Sequence, residues 1–98
     1  MDKIKKEAYQ KKMEAKLAAL KGKILGLEAE LKSRQSDGAS QLQTHLKTLR
    51  QRRETAQEKL HDLSQASETA WDDMKHGMAK AWDDLETAFT HAKDNFNH

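Results

Sequence analysis

The chain has 98 residues, of which 18 are Lys or Arg and 16 are Asp or Glu, so its formal net charge is only +2. Charged residues make up 35% of the chain and apolar residues 36%, and there is no Cys and no Pro. This composition excludes a disulfide scaffold and a Cys-based zinc site, and no apolar run approaches the roughly 20 residues that a membrane span needs.

The residues that dominate the composition are Ala, Glu, Lys, Leu and Gln, which are typical of long helices and coiled coils. We therefore expect an all-α protein with a single helical domain over residues 1–98. No secretory signal follows the basic N-terminus, although a mature chain that had lost one would look the same. We expect a cytoplasmic protein.

The first third of the chain carries apolar residues at alternating intervals of four and three. They are Met13, Leu17, Leu20, Ile24, Leu27 and Leu31. Such heptad spacing keeps one stripe of a helix against a partner helix. It predicts a first helix over about residues 2–34.

The clearest turn signal is Ser36-Asp37-Gly38-Ala39-Ser40, where Asp-Gly supplies the turn and Ser40 is suited to cap the next helix. That second helix, over about residues 40–63, continues the heptads. Its stripe is Leu42, Leu46, Leu49, Arg53, Ala56, Leu60 and Leu63. Folding the chain at the turn aligns the two stripes, which predicts an antiparallel, coiled-coil-like helical hairpin.

Arg53 is the one charged residue of the second stripe. It either packs its methylene groups and extends its guanidinium into water, or acts as a polar pin that fixes the register. The sequence does not choose between these two roles.

A weaker turn signal, without Gly or Pro, lies at residues 64–69. Thr69, followed by Asp72 and Asp73, would form an N-cap and an acidic first turn of a third helix over about residues 69–96. Two architectures follow. This amphipathic helix either folds back on the second helix as a three-helix bundle, or continues the second helix and pairs between chains.

The third segment has the most apolar face in the chain, and we predict that this face is the interaction surface. Its residues are Trp71, Met74, Met78, Trp82, Leu85, Phe89 and Phe96. The fold-back architecture would place Leu63 against Trp71 and Leu49 against Leu85. The hairpin alone offers this face no partner of its own.

An internal repeat underlies that face, because Ala70-Trp71-Asp72-Asp73 recurs as Ala81-Trp82-Asp83-Asp84. Eleven residues make three helical turns, so the same face returns after each repeat. The repeat indicates either helix packing or a lipid-surface helix, which also uses 11-residue periods. Its acidic polar face disfavours an anionic membrane surface.

Charge is sorted along the chain. Residues 1–34 carry ten basic and five acidic residues, or +5, whereas residues 67–98 carry three and seven, or −4. The basic first helix and the acidic last segment therefore complement each other, within one bundle or between chains. Nucleic acid is disfavoured as a partner, because the Trp residues that could stack on bases lie in the acidic segment.

Few residues suggest chemistry. His91, Asp94 and His98 share a helix face and are weak candidates for a zinc or nickel site, but their spacing differs from a His-x-x-x-His pair, so surface histidines are the favoured interpretation. The two carboxylates of Asp72-Asp73, and those of Asp83-Asp84, cannot converge on one substrate, because adjacent residues on a helix point about 100° apart. We predict no cofactor and no enzyme.

The doubled Ala-Trp-Asp-Asp motif at residues 70–73 and 81–84 resembles a family of small bacterial proteins described as coiled-coil domain-containing. The opening segment, residues 5–17, is similar to their N-terminus as well. The resemblance covers about a third of the chain and implies a bacterial helical protein. The family has no established activity, and some relatives look stress-associated, so no functional residue is transferred.

Three functional hypotheses follow. The first is a non-enzymatic helical assembly module, stress-associated if the resemblance holds, that acts through helix–helix contacts as a homo-oligomer or with another helical protein. The second is a protein that lies on a lipid or membrane surface through residues 69–96. The third is a metal-responsive helical protein.

Overall fold

The computed structural model describes residues 3–33 and 39–96, with side chains described for residues 3–33 and 41–95. Within these ranges the chain forms three α-helices, α1 (Lys3–Ser33), α2 (Ala39–Ser64) and α3 (Glu68–Phe96). They pack as a rod with dimensions of 52 × 18 × 17 Å. The fold is therefore the all-α, three-helix bundle that was one of the two predicted architectures. The predicted turn at Asp37-Gly38 and the cap at Ser40 lie outside the described residues.

The hairpin of α1 and α2 forms as the heptads predict. Its stripes supply much of the core, which contains Met13, Leu17, Leu20, Ile24, Leu27, Leu42, Leu46, Leu49, Ala56, Leu60 and Leu63. Leu31 lies half-buried at the edge of this core. On the outside of the seam, Arg50 Nε donates to Glu28 Oε1 at 3.2 Å. This ion pair joins α1 to α2 but is too exposed to contribute much stability.

The break between α2 and α3 is short. The backbone N–H of Gln65 donates to the carbonyl of Asp62 at 3.1 Å, which tightens the last turn of α2. Ser67 then caps α3, because its Oγ accepts from the backbone N–H of Ala70 at 3.3 Å. The prediction that Thr69 is the cap is therefore wrong. Thr69 lies inside the first turn, since α3 begins at Glu68.

Helix α3 folds back along α2, and these two backbones approach each other more closely than α3 approaches α1. Small residues of the 11-residue repeat allow this approach, because Ala81 and Ala92 are both buried in the core. The chain therefore runs up, down and up, which leaves α1 and α3 parallel. No helix in the described residues has the length and apolarity needed to cross a membrane.

We expect Ser67→Ala to lower the free energy of unfolding by about 1 kcal/mol, because it removes the side-chain acceptor at the start of α3. Thr69→Ala is the comparison variant and should cost less, because Thr69 Oγ1 lies 3.1 Å from Ser67 Oγ but caps no backbone group itself. Urea denaturation followed by circular dichroism measures both. Equal losses in the two variants would contradict the assignment of Ser67 as the cap.

Candidate interaction surfaces

The apolar face of α3, predicted as the interaction surface, lies mostly inside the bundle. Trp71, Met78 and Leu85 are buried in the core. Trp82 and Phe89 are half-buried, packed against that core. Met74 is the exception, because it remains 38% exposed. The side chain of Phe96 lies outside the described residues. Most of this face therefore has its partner within the same chain.

Lysines of α1 cover the aromatic rings of α3 along the seam between these two helices. Lys6 Nζ lies 5.4 Å from the ring centroid of Trp71, Lys16 Nζ 5.4 Å from that of Trp82, and Lys23 Nζ 6.0 Å from that of Phe89. An ammonium group over a ring face is attracted by the negative charge of the π-system.

In these three contacts the lysines of α1 meet aromatic rings of α3 and not its acidic side chains. The contacts were not predicted from the sequence. A signal was present, because Lys16 and Lys23 repeat the seven-residue spacing of Trp82 and Phe89.

A cluster of aromatic and basic side chains closes the end of the bundle where α3 begins. The rings of Tyr9 and Trp71 meet edge to face, with centroids 6.1 Å apart and an interplanar angle of 77°. Lys75 Nζ lies 4.9 Å from the centroid of the Tyr9 ring. Burial raises the pKa of the Tyr9 hydroxyl, because the phenolate loses hydration there. The indole N–H of Trp71 is buried and has no hydrogen-bond partner within the described residues.

The two long seams of α3 carry shallow grooves. The α1–α3 seam holds a groove of about 240 Å³ between Lys16, Lys23, Trp82 and Phe89. The α2–α3 seam holds a more polar groove of about 330 Å³, with side chains from both helices. Those side chains are His45, Thr48, Arg52, Asp84, Thr87, Ala88 and His91.

His45 is anchored at the end of the polar groove. Asn95 Nδ2 donates to the backbone carbonyl of His91 at 3.0 Å and lies 3.0 Å from His45 Nε2. Both amide hydrogens of Asn95 can be used at once if His45 Nε2 accepts, which places the imidazole proton on Nδ1. The contact therefore ties the last turns of α3 to α2.

The weak metal candidates do not form a cluster in the described residues. His91 and Asp94 are exposed on α3, and His98 lies outside the described residues. No group of three or more His, Cys, Asp or Glu side chains within those residues is arranged to hold a metal ion.

Arg53 is half-buried on the inner stripe of α2. Its Nε is buried and has no hydrogen-bond partner among the described residues. Because Nε is unpaired within the described ranges, this nitrogen does not fix the register, which favours packing of the methylene groups.

A second heptad stripe runs along the side of α1 opposite its buried stripe, and Ala18 at its edge also lines a groove shared with α2. Its residues again alternate at intervals of three and four, and every one of them is exposed. We call this surface the outer face of α1, and it consists of Ala8, Lys11, Ala15, Ala18, Gly22, Leu25 and Ala29. Ile4 extends the same spacing toward the N-terminus and is 73% exposed.

The outer face is apolar where a bundle surface is ordinarily charged. Leu25 is 53% exposed, more than any other large apolar side chain of the described residues except Ile4. A Cβ atom added at Gly22 or at Gly26 would meet nothing within 4 Å. Packing within the chain therefore does not require these glycines, although each costs a helix about 1 kcal/mol relative to Ala. The stripe was not predicted from the sequence, because small residues contribute little to a pattern of large apolar side chains.

Comparisons of the chain with family models, curated proteins and solved structures found no match. The resemblance of the Ala-Trp-Asp-Asp repeat to small bacterial coiled-coil proteins stays a prediction. No relative therefore supplies a function, and the functional proposal rests on the geometry of the chain itself.

We expect Trp71→Ala to lower the free energy of unfolding by about 3–5 kcal/mol, because it removes a buried ring from the core. Trp82→Ala should cost less, since Trp82 is half-buried, and Asp83→Ala should cost little, since Asp83 is exposed. Urea denaturation at two protein concentrations measures these losses. They should not depend on concentration, because the contacts lie within one chain. A concentration-dependent loss for Trp71→Ala would instead indicate a contact between chains.

Gly22→Ala and Gly26→Ala should each raise the free energy of unfolding of the monomer by about 1 kcal/mol, because Ala is the better helix former and its Cβ meets open space. Thermal and urea denaturation of dilute protein measure the gain. Destabilisation by either variant would mean that a group within the chain packs against that glycine.

Proposed function

We propose that this protein is a non-enzymatic helical assembly module, which acts through helix–helix contacts with itself or with another helical protein. The observation that carries the proposal is the outer face of α1. This surface has the heptad spacing of a helix-packing stripe, it is exposed along its length, and it lies on the side of α1 opposite the buried stripe.

The composition of the outer face supports the same function. Helices pack closely where small residues let their backbones approach, and Ala15, Ala18 and Gly22 supply such residues at its centre. Leu25 adds an apolar side chain whose burial against a partner would be favourable. Exposed apolar patches on small proteins are typical of binding surfaces.

The proposal changes the surface that the sequence analysis favoured. Of the seven residues of the α3 face, three are buried and two are half-buried, so little of the face remains for a partner. The same burial removes the main support for a lipid-surface helix over residues 69–96. That helix would have to leave the core to expose its apolar side chains.

Site-specific photo-crosslinking in the cells that make the protein tests the proposal. A photoreactive amino acid at Ala18, on the outer face, should give a discrete crosslinked species. The same amino acid at Gln51, an exposed position of α2, should give only background. Mass spectrometry then identifies the crosslinked partner as this chain or another protein.

Leu25→Lys should abolish the species formed from position 18, because a charged side chain replaces the apolar contact. The control variant Gln51→Lys should leave the species unchanged. Both substituted residues are exposed, so both variants should melt like the unmodified chain. Absence of any specific species from position 18 would contradict the proposed function.

A further inference from the structure

The outer face of α1 consists of two lines of residues with different sizes. One line contains only small residues at seven-residue intervals, which are Ala8, Ala15, Gly22 and Ala29. The neighbouring line carries the larger side chains, which are Lys11 and Leu25, with Ala18 between them. This asymmetry restricts which helix can pack on the face and in which direction.

A second α1 helix fits this asymmetry only in the antiparallel direction. When two identical heptad helices pack antiparallel, the line of small residues on one helix faces the line of larger residues on the other. In a parallel pair, each line faces the same line of the second copy. Antiparallel packing therefore places every large side chain opposite a small one. Parallel packing would place Lys11 against Lys11 of the second copy and leave gaps between the small residues.

One register covers the whole face. It places Leu25 opposite Ala8 of the second copy, Lys11 opposite Gly22, and Ala15 opposite Ala18. The same register sets Ile4 opposite Ala29. The absence of a side chain at Gly22 leaves room for the methylene groups of Lys11, which gives this glycine the packing role that it lacks within its own chain.

The charges beside the face form one favourable and one unfavourable kind of pair in this register. It brings Glu14 next to Lys21 of the second copy, twice by symmetry, which is a favourable pair. It also brings Glu7 near Glu28 of the second copy. The carboxylate of Glu28 accepts from Arg50 of its own chain at 3.2 Å, which reduces this repulsion without removing it.

We infer that the outer face of α1 binds a second copy of this chain, with the two α1 helices antiparallel and Leu25 packed on Ala8 of the second copy. The inference rests on the proposed function and names its partner. The contact is a two-fold, self-complementary interface along a single helix pair. It belongs at the weak end of the range, since interfaces below about 1,200 Å² are usually transient.

Disulfide trapping tests the geometry directly, because the natural chain contains no Cys. Leu25→Cys and Ala8→Cys chains are prepared separately and then mixed under mild oxidation. The mixture should form a disulfide between the two different chains. Leu25→Cys alone should form little, because the two copies of position 25 would lie about 25 Å apart along the helix pair.

The control variant Gln51→Cys, mixed with Leu25→Cys, should give only background trapping, since position 51 lies on the exposed side of α2. Efficient trapping of Leu25→Cys with itself would show a parallel pair and overturn the inference. Trapping of Leu25→Cys with Ala15→Cys in place of Ala8→Cys would show a pair shifted by one heptad and overturn it as well.

Sedimentation equilibrium over a wide range of concentration completes the test. The unmodified chain should show a monomer–dimer equilibrium, Leu25→Lys should be monomeric, and Gln51→Lys should match the unmodified chain. A strict monomer would overturn the inference. Flotation with anionic vesicles tests a lipid surface as the alternative partner. If the unmodified chain is monomeric and floats with the vesicles, and Leu25→Lys does not float, the inference is also overturned. If the cellular crosslinks from position 18 nevertheless lead to another helical protein, the proposed function stands and only the second-copy partner is wrong.

Discussion

The burial of the apolar face of α3 is the constraint on which the rest of the structure depends. Trp71, Met78 and Leu85 together remove three large side chains from water. Each such side chain contributes about 1.5–3 kcal/mol, and the net stability of a small domain is only about 5–15 kcal/mol. A hairpin of α1 and α2 alone would lose this contribution. The third helix therefore has to fold back, and the turn at residues 65–67 exists because of that burial.

The burial of the apolar face of α3 also determines which sides of α1 contact the rest of the bundle. Helix α2 approaches α3 through small residues such as Ala81 and Ala92, whereas α1 reaches it through the long side chains of Lys16 and Lys23. Lysine suits the wider seam, because its methylene groups extend over the aromatic rings while the ammonium group stays near water. The inner and flanking sides of α1 thus serve the bundle, and the opposite side is left outside it.

The sequence predicted the hairpin well and the remainder less well, for physical reasons. Heptads report burial directly, so residues such as Leu20 and Leu46 were assigned to the core correctly. The end of α2 depends on the distant burial of Trp71, and no local signal at residues 64–67 decides it. The cap at Ser67 was missed by two residues, because several polar side chains there suit a cap equally. Contacts such as Lys16 with Trp82 depend on the placement of α1 beside α3, which the pattern of neither helix shows.

The outer face of α1 differs from these cases. Its heptad pattern is visible in the sequence, but only the structure shows that the stripe is exposed. Small residues score low for hydrophobicity, so a stripe of Ala and Gly does not stand out beside Leu and Ile. The structure shows that Gly22 and Gly26 contact nothing that would exclude a side chain. Each of these helix-interior glycines costs about 1 kcal/mol relative to Ala, and Gly77 of α3 likewise has no atom within 4 Å of the Cβ position. A helix packed closely against Gly22 from outside would offset the cost of that glycine, which is why the side of α1 least involved in folding is the proposed binding surface.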